Sequence, residues 1–258
     1  MAKPETRVHS AQFRFYAELN DFIPPDSRHK IVTHHFGGRP SVKDAIESLG
    51  VPHVEVDLIL VNGASVGFDH HLAHGDRVSV YPVFESLDIS PVTRLRPEPL
   101  RRTAFVLDVH LGKLARLLRL LGFDTLYERD YDDAEIVDLA LAQKRIILTR
   151  DRGLLKHGRV THGYWLRSTD PVEQAREVVR RFDLRDQAKP LTRCARCNGI
   201  IDPVDKEAVR SQIPPQTASW CDAFYRCASC GQAYWQGTHF EPLQETLAHI
   251  LEKTEGSP

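Results

Sequence analysis

No stretch of this sequence approaches the roughly 18 consecutive apolar residues that a membrane-spanning helix needs. The polar opening Met1-Ala2-Lys3-Pro4-Glu5 also lacks the apolar core of a secretory signal. The chain is therefore expected in the cytoplasm, with no membrane partner. Cysteine is scarce. Four of the five residues fall in two C-x-x-C pairs, which fits metal binding in a reducing compartment better than disulfides. No internal repeat is present. What remains is ordinary globular material: 258 residues, 41% hydrophobic and 27% charged, with room for two or three small domains.

Net charge is also nearly absent, at −1, but the balance hides an asymmetry. Residues 91–193 carry 21 Lys/Arg against 15 Asp/Glu, whereas residues 1–90 carry 8 against 12 and residues 194–258 carry 5 against 8. Positive charge is concentrated in the middle third, which suits a polyanionic substrate.

Residues 7–19 alternate polar and apolar side chains, and Lys30 to Thr33 forms a second strand-like run. Ser41 to Gly50 has a serine cap, apolar spacing at Val42, Ala45, Ile46 and Leu49, and a terminating glycine, as a helix should. Val54 to Asn62 and Arg77 to Phe84 complete a ββαββ pattern, with Asn62-Gly63 as a tight turn. Val61-Asn62-Gly63 and the run His74 to Pro82 resemble the ubiquitin-like β-grasp domains of small sulfur carriers. Those carriers end in a free Gly-Gly tail, whereas this chain continues through Val83-Phe84-Glu85. Docking is therefore the expected role, with a purely structural role as the alternative. His70, His71 and His74 are read as surface histidines.

Pro91, Pro97 and Pro99 mark a semi-rigid linker, taken as residues 89–103. A βα-alternating region follows to residue 188 and predicts a parallel sheet flanked by helices. Phe105-Val106-Leu107-Asp108 reads as a buried strand ending in a carboxylate, and Arg145 to Asp151 reads the same way. Open α/β sheets place ligands at the carboxyl ends of such strands. Between them, Leu111, Leu114, Leu117, Leu118 and Leu121 share one helical face, with Lys113, Arg116 and Arg119 opposite. Those cations are either a solvated surface or a phosphate-facing stripe. Asp132 and Glu135 can close a capping box, leaving Asp133 to face Asp108. Asp170 before Pro171 reads as a helix cap, with a weaker claim as a fourth acid. Paired carboxylates collect divalent metal, and nearby arginines argue that the metal meets phosphate.

Asp108 after an apolar strand, the Leu/Arg helix, the acidic helix start at Asp133 and Leu148-Thr149-Arg150-Asp151-Arg152 resemble a PIN-like ribonuclease domain. Within that group, the chain resembles the RNase family named for the C-terminal domain of the mutator-seven exonuclease. Members often join a ubiquitin-like domain, the PIN-like core and a zinc ribbon. The resemblance implies Asp108, Asp133 and Asp151 as the acids binding Mg²⁺ or Mn²⁺. Lys113, Arg116, Arg119, Arg150 and Arg152 are the candidate phosphate contacts; for Arg150 and Arg152 a salt bridge to a neighbouring aspartate is the alternative.

Cys194-Ala195-Arg196-Cys197 and Cys227-Ala228-Ser229-Cys230 read as two knuckles, each presenting two thiolates, that together are expected to close a tetrahedral site for structural zinc; a redox dithiol is the poorer alternative, because two pairs are present. Cys221 is left over as a small apolar residue. Trp235, in the family-like Tyr-Trp-x-Gly-x-His run, serves either the core or base stacking, and His239 is not expected to be a ligand. The expected architecture is thus a ubiquitin-like β-grasp domain (1–88), a linker (89–103), a PIN-like α/β domain (104–188), and a zinc ribbon with a polar tail (189–258). The expected function is metal-dependent RNA cleavage. The partners are RNA, with tRNA or other structured RNA as candidates, and a protein docking on the β-grasp domain. The alternative is a non-catalytic RNA-binding or adaptor protein.

Overall fold

In a computed structural model of the chain, the described residues are 8–82, 95, 103–214, 216–237 and 240–252. Nearly all of the expected linker, the run Val83-Phe84-Glu85 and His239 lie outside them. Two compact units emerge, one made of residues 8–82 together with Asp151–Trp165, the other of residues 103–150 and 166–252.

The first unit is built on β1 (His9–Phe15), β2 (Val32–Phe36), α1 (Val42–Ser48), β3 (Val56–Val61), β4 (Ala64–Ser65) and β5 (Arg77–Pro82). The strand order β2-β1-β5-β3-β4, with β1 and β5 parallel and the other pairs antiparallel, is a β-grasp sheet. Alternation along β1 buries Ala11, Phe13 and Phe15. Val42, Ala45 and Ile46 of α1 close on the same core. Each large side chain fully buried there contributes roughly 1.5–3 kcal/mol. Ser41 caps α1 by accepting from Asp44 N, and Asn62 and Gly63 both adopt positive φ in the two-residue turn that joins β3 to β4. β2 begins two residues later than its sequence suggested: Ile31 is exposed, and pairing with β1 runs from Phe13–Val32 to His9–Phe36. The unit also contains the short helix Arg152–Leu155 and the strand Gly163–Trp165.

The second unit opens with β6 (Ala104–Leu107), buried throughout, then α2 (Gly112–Leu120), β7 (Asp124–Leu126), α3 (Asp133–Gln143) and β8 (Ile146–Thr149). β6 pairs in parallel with both β7 and β8, as βα crossovers require. Leu114 and Leu118 of α2 pack inward, with Leu111 and Leu121 buried beside them. Gly122 ends this helix with φ +93°, where a Cβ would run into Lys189 O, so glycine is required twice over.

Beyond β8 the helix Pro171–Arg181 is capped by Asp170, whose Oδ1 accepts from Val172 N and Glu173 N. The cysteine module carries a three-stranded antiparallel sheet of Ile201–Val204, Phe224–Cys227 and Ala233–Trp235. Its small core of Val209, Ile213, Cys221, Phe224 and Ala233 takes in Trp235, which favours the core role for that ring and confirms Cys221 as an apolar filler. The region expected as a polar tail is instead helical over Phe240–Leu251. Leu247 and Ile250 are buried, and Arg176 of the helix Pro171–Arg181 donates to His249. No helix among the described residues is long and apolar enough to cross a membrane.

Candidate active site and metal centre

Asp108 follows β6 directly and is buried at the carboxyl edge of the parallel sheet. Its Oδ2 accepts from Thr149 Oγ1 at 2.7 Å, and its Oδ1 accepts from His110 N at 2.9 Å. Two donors on two oxygens fix the carboxylate's orientation. The parallel register, with Leu107 opposite Leu148, is what carries Thr149 to it. Tyr127, just after β7, donates from its hydroxyl to Val109 O at 2.9 Å, and its ring covers Gly112, where a Cβ would meet the hydroxyl at 2.7 Å. The turn that carries Asp108 into α2 is thereby pinned.

Asp133 is the first residue of α3 and is exposed. Asp132 and Glu135 form a full capping box with 2.8 and 3.0 Å bonds, so Asp133 has no part in the cap. Asp151, also exposed, belongs to the first unit and accepts from Gly153 N at 2.7 Å. Among the described residues the one convergent group of three or more possible ligands is the cysteine quartet.

Lys113 and Arg116 are exposed on α2, and Arg150 is exposed after β8. Arg119 does not share an exposed stripe with them. Its side chain is buried, donating from Nε to Thr125 O at 2.9 Å and from Nη1 to Arg196 O at 2.8 Å inside the first cysteine knuckle. Burial pushes its pKa down, partly offset by Glu128 and nearby cysteines. Five fixed donors let a guanidinium satisfy carbonyls from several segments at once, so it is a staple and not a phosphate contact. Arg152 is likewise occupied. Its guanidinium lies 4.2 Å from the Trp165 ring centre and 5.0 Å from that of Phe22, and donates to Asp21 O.

The cysteine site lies where the sequence put it. Cys194 Sγ is 3.6 Å from Cys230 Sγ and Cys197 Sγ is 3.4 Å from Cys227 Sγ, and all four sulfurs lie within 4.8 Å of one another. A tetrahedral ion with bonds of about 2.3 Å to sulfur requires S···S edges of roughly 3.8 Å, so the quartet fits. Tyr234 OH lies 3.0 Å from Cys194 Sγ. Although burial opposes ionisation, hydrogen bonds from Tyr234 and the knuckle backbone bring the Cys194 thiol down to about 7, while burial drives Cys197 up to about 12.

Sequence reasoning missed the polar network under this knuckle. Asp124 on β7 accepts from Arg145 at 2.8 Å and Asn198 at 2.9 Å, with Arg193 at 3.5 Å. Asn198, in left-handed conformation just past Cys197, accepts from Thr125 N at 3.0 Å. Burial opposes the charge on Asp124, yet Arg145 and Asn198 together hold its pKa below the ordinary value. Thr149 was missed too; its signal is a hydroxyl closing the otherwise apolar run Ile146-Ile147-Leu148.

Comparison with known families matches residues 103–247 to the Mut7-C RNAse domain and residues 8–88 to the Mut7-C ubiquitin domain. No curated protein and no solved structure matches the chain significantly.

Proposed function

Because the chain belongs to the Mut7-C RNase family, with a Mut7-C ubiquitin domain ahead of the catalytic one, we propose that it cleaves RNA phosphodiester bonds with Mg²⁺ or Mn²⁺ held at Asp108. Asp133 and Asp151 are the further acids of the site, by their position in the family-like motifs. The observation that carries this reading is the Asp108 carboxylate, buried at the carboxyl edge of a parallel sheet and oriented by Thr149 and His110. Carboxylate oxygens suit hard cations, and Mg²⁺ commonly binds through one or two carboxylates plus substrate phosphate, so a closed three-acid cage is not required. When bound, such an ion supplies an activated water and stabilises charge on the transferring phosphoryl group.

The chain's own residues account for the rest. Asp108 presents an oriented oxygen pair, and the Tyr127–Val109 bond keeps its turn from shifting. Lys113, Arg116 and Arg150, all exposed, are the cations we assign to phosphate. Zinc is the ion we assign to the cysteine quartet, since four thiolates leave no open position for catalysis.

The test is cleavage of labelled single-stranded RNA with Mn²⁺, with and without EDTA, beside Asp108→Asn. Chelator-sensitive cleavage that disappears in the folded mutant is expected. Full activity in the mutant would sink the reading. RNA binding indifferent to chelator, with no turnover, would favour the adaptor alternative, in which these aspartates serve as caps.

A further inference from the structure

The residues that follow Asp151 are gathered by the ubiquitin-like fold. Although Asp151–Trp165 falls inside the stretch matched to the RNase domain, it belongs to the same compact unit as the β-grasp sheet. Side-chain contacts along its length hold it. Arg152 stacks over Phe22 and Trp165 and donates to Asp21 O at 3.2 Å. Lys156 Nζ donates to Glu47 O at 2.9 Å, at the end of α1. His53 is buried with Nδ1 at 2.6 Å from Glu47 Oε1 and Nε2 at 2.8 Å from Val160 O. Nδ1 thus faces a carboxylate oxygen and Nε2 a backbone carbonyl, so the ring bridges α1 and the segment. Glu55, fully buried, accepts from Trp165 N at 2.6 Å.

These contacts sit at both ends and in the middle of a 15-residue segment, and Phe22 meets Trp165 ring to ring at 5.1 Å. A buried carboxylate and a buried imidazole spent on the backbone of one segment make a built interface, since burying such groups is unfavourable unless they are paired. The segment starts two residues after Thr149, whose hydroxyl holds Asp108. Arg152, directly after Asp151, is its first anchor.

We propose that the ubiquitin-like fold acts in cis as a clamp on residues 151–165, with Arg152 seated on Phe22 and Trp165 as the positioning residue that sets Asp151 for metal. The proposal rests on reading Asp151 as a metal-binding acid. On this account the β-grasp face formed by Phe22, Glu47, His53 and Glu55 is occupied by the chain itself, and an external partner must use another face. Arg152 then acts through Asp151, without touching phosphate.

The test uses the full chain with Phe22→Leu, which keeps an apolar side chain but removes the ring, and Arg152→Lys, which keeps the charge but removes the planar stack. A stacked cation contributes enough that its loss shifts the held-to-released balance of the segment roughly fivefold to thirtyfold. Amide exchange over residues 153–165, with Gly153 and Trp165 as reporters, should quicken by that factor in both variants. The Mn²⁺ concentration for half-maximal cleavage should rise by a similar factor, with kcat at saturating Mn²⁺ retained. A direct phosphate role for Arg152 predicts the opposite: Phe22→Leu silent, and Arg152→Lys raising KM for RNA. That result, or unchanged exchange, or quickened exchange with unchanged Mn²⁺ dependence, would overturn the clamp alone. Absence of any Mn²⁺-dependent cleavage by the unmodified chain would instead remove the ribonuclease reading and the positioning role with it.

Discussion

A Thr149→Val substitution keeps the shape of the side chain and deletes the hydroxyl that donates to Asp108 Oδ2 at 2.7 Å. Both groups are buried, so no bulk water steps in at full strength to replace the lost donor. A hydrogen bond to a charged group contributes about 1.5–3 kcal/mol. If all of it serves to hold the carboxylate in its metal-binding orientation, the loss corresponds to roughly tenfold to 150-fold in rate at limiting metal. The second donor, His110 N at 2.9 Å, survives and places the expected effect toward the lower end. The assay is the initial rate of RNA cleavage across an Mn²⁺ titration, run for the wild type, Thr149→Val and Thr149→Ser, with melting temperatures alongside. Serine restores the hydroxyl and should recover most of the activity. A valine variant with the wild-type rate and Mn²⁺ dependence, or one that loses only melting temperature, would refute the idea that this hydrogen bond serves the chemistry.

Two further outcomes concern the network beneath the cysteine knuckle. Asp124 has its folded-state pKa held below the ordinary carboxylate value of 3.8, so its stabilisation is complete above that value and is lost as pH falls through the folded pKa. Asp124→Asn should therefore cost about 3–5 kcal/mol near pH 7, as for one partner removed from a buried pair, and the gap in urea-melt stability should narrow in acid. A gap independent of pH would contradict this. Stripping the ion from the cysteine quartet should loosen more than the small sheet, because Arg119 and Asn198 tie the first knuckle to β7. Amide exchange at Asp124–Leu126 should quicken on chelation, and unchanged exchange there would show that the knuckle and the sheet are independent.

Much of the site was open to local reasoning. The parallel strands leading to Asp108 and toward Asp151, the cap of α3, the cap at Asp170 and the two knuckles were all legible, because each depends on residues within a few positions of one another. Arg119 was misplaced for a definite reason. Helical periodicity separates apolar from charged faces, and at the end of α2 the charged side chain turned inward to carbonyls 6 and 77 residues away, which have no sequence signature. Arg152 has the same history. Its aromatic seat was hidden from the sequence, because Phe22 lies 130 positions earlier and only folding brings its ring under the guanidinium.

The sequence by itself determined most element types (the C-terminal helix excepted), the β-grasp pattern, the family and the pairing of the cysteine quartet, since hydrophobic period, turn residues and ligand spacing act over short range. Tertiary structure alone decided which charges are solvated and which are staples, which carboxylate is buried and oriented, and to which compact unit residues 151–165 belong. Those outcomes turn on burial and on backbone partners, and a carbonyl oxygen is the same group whatever residue carries it.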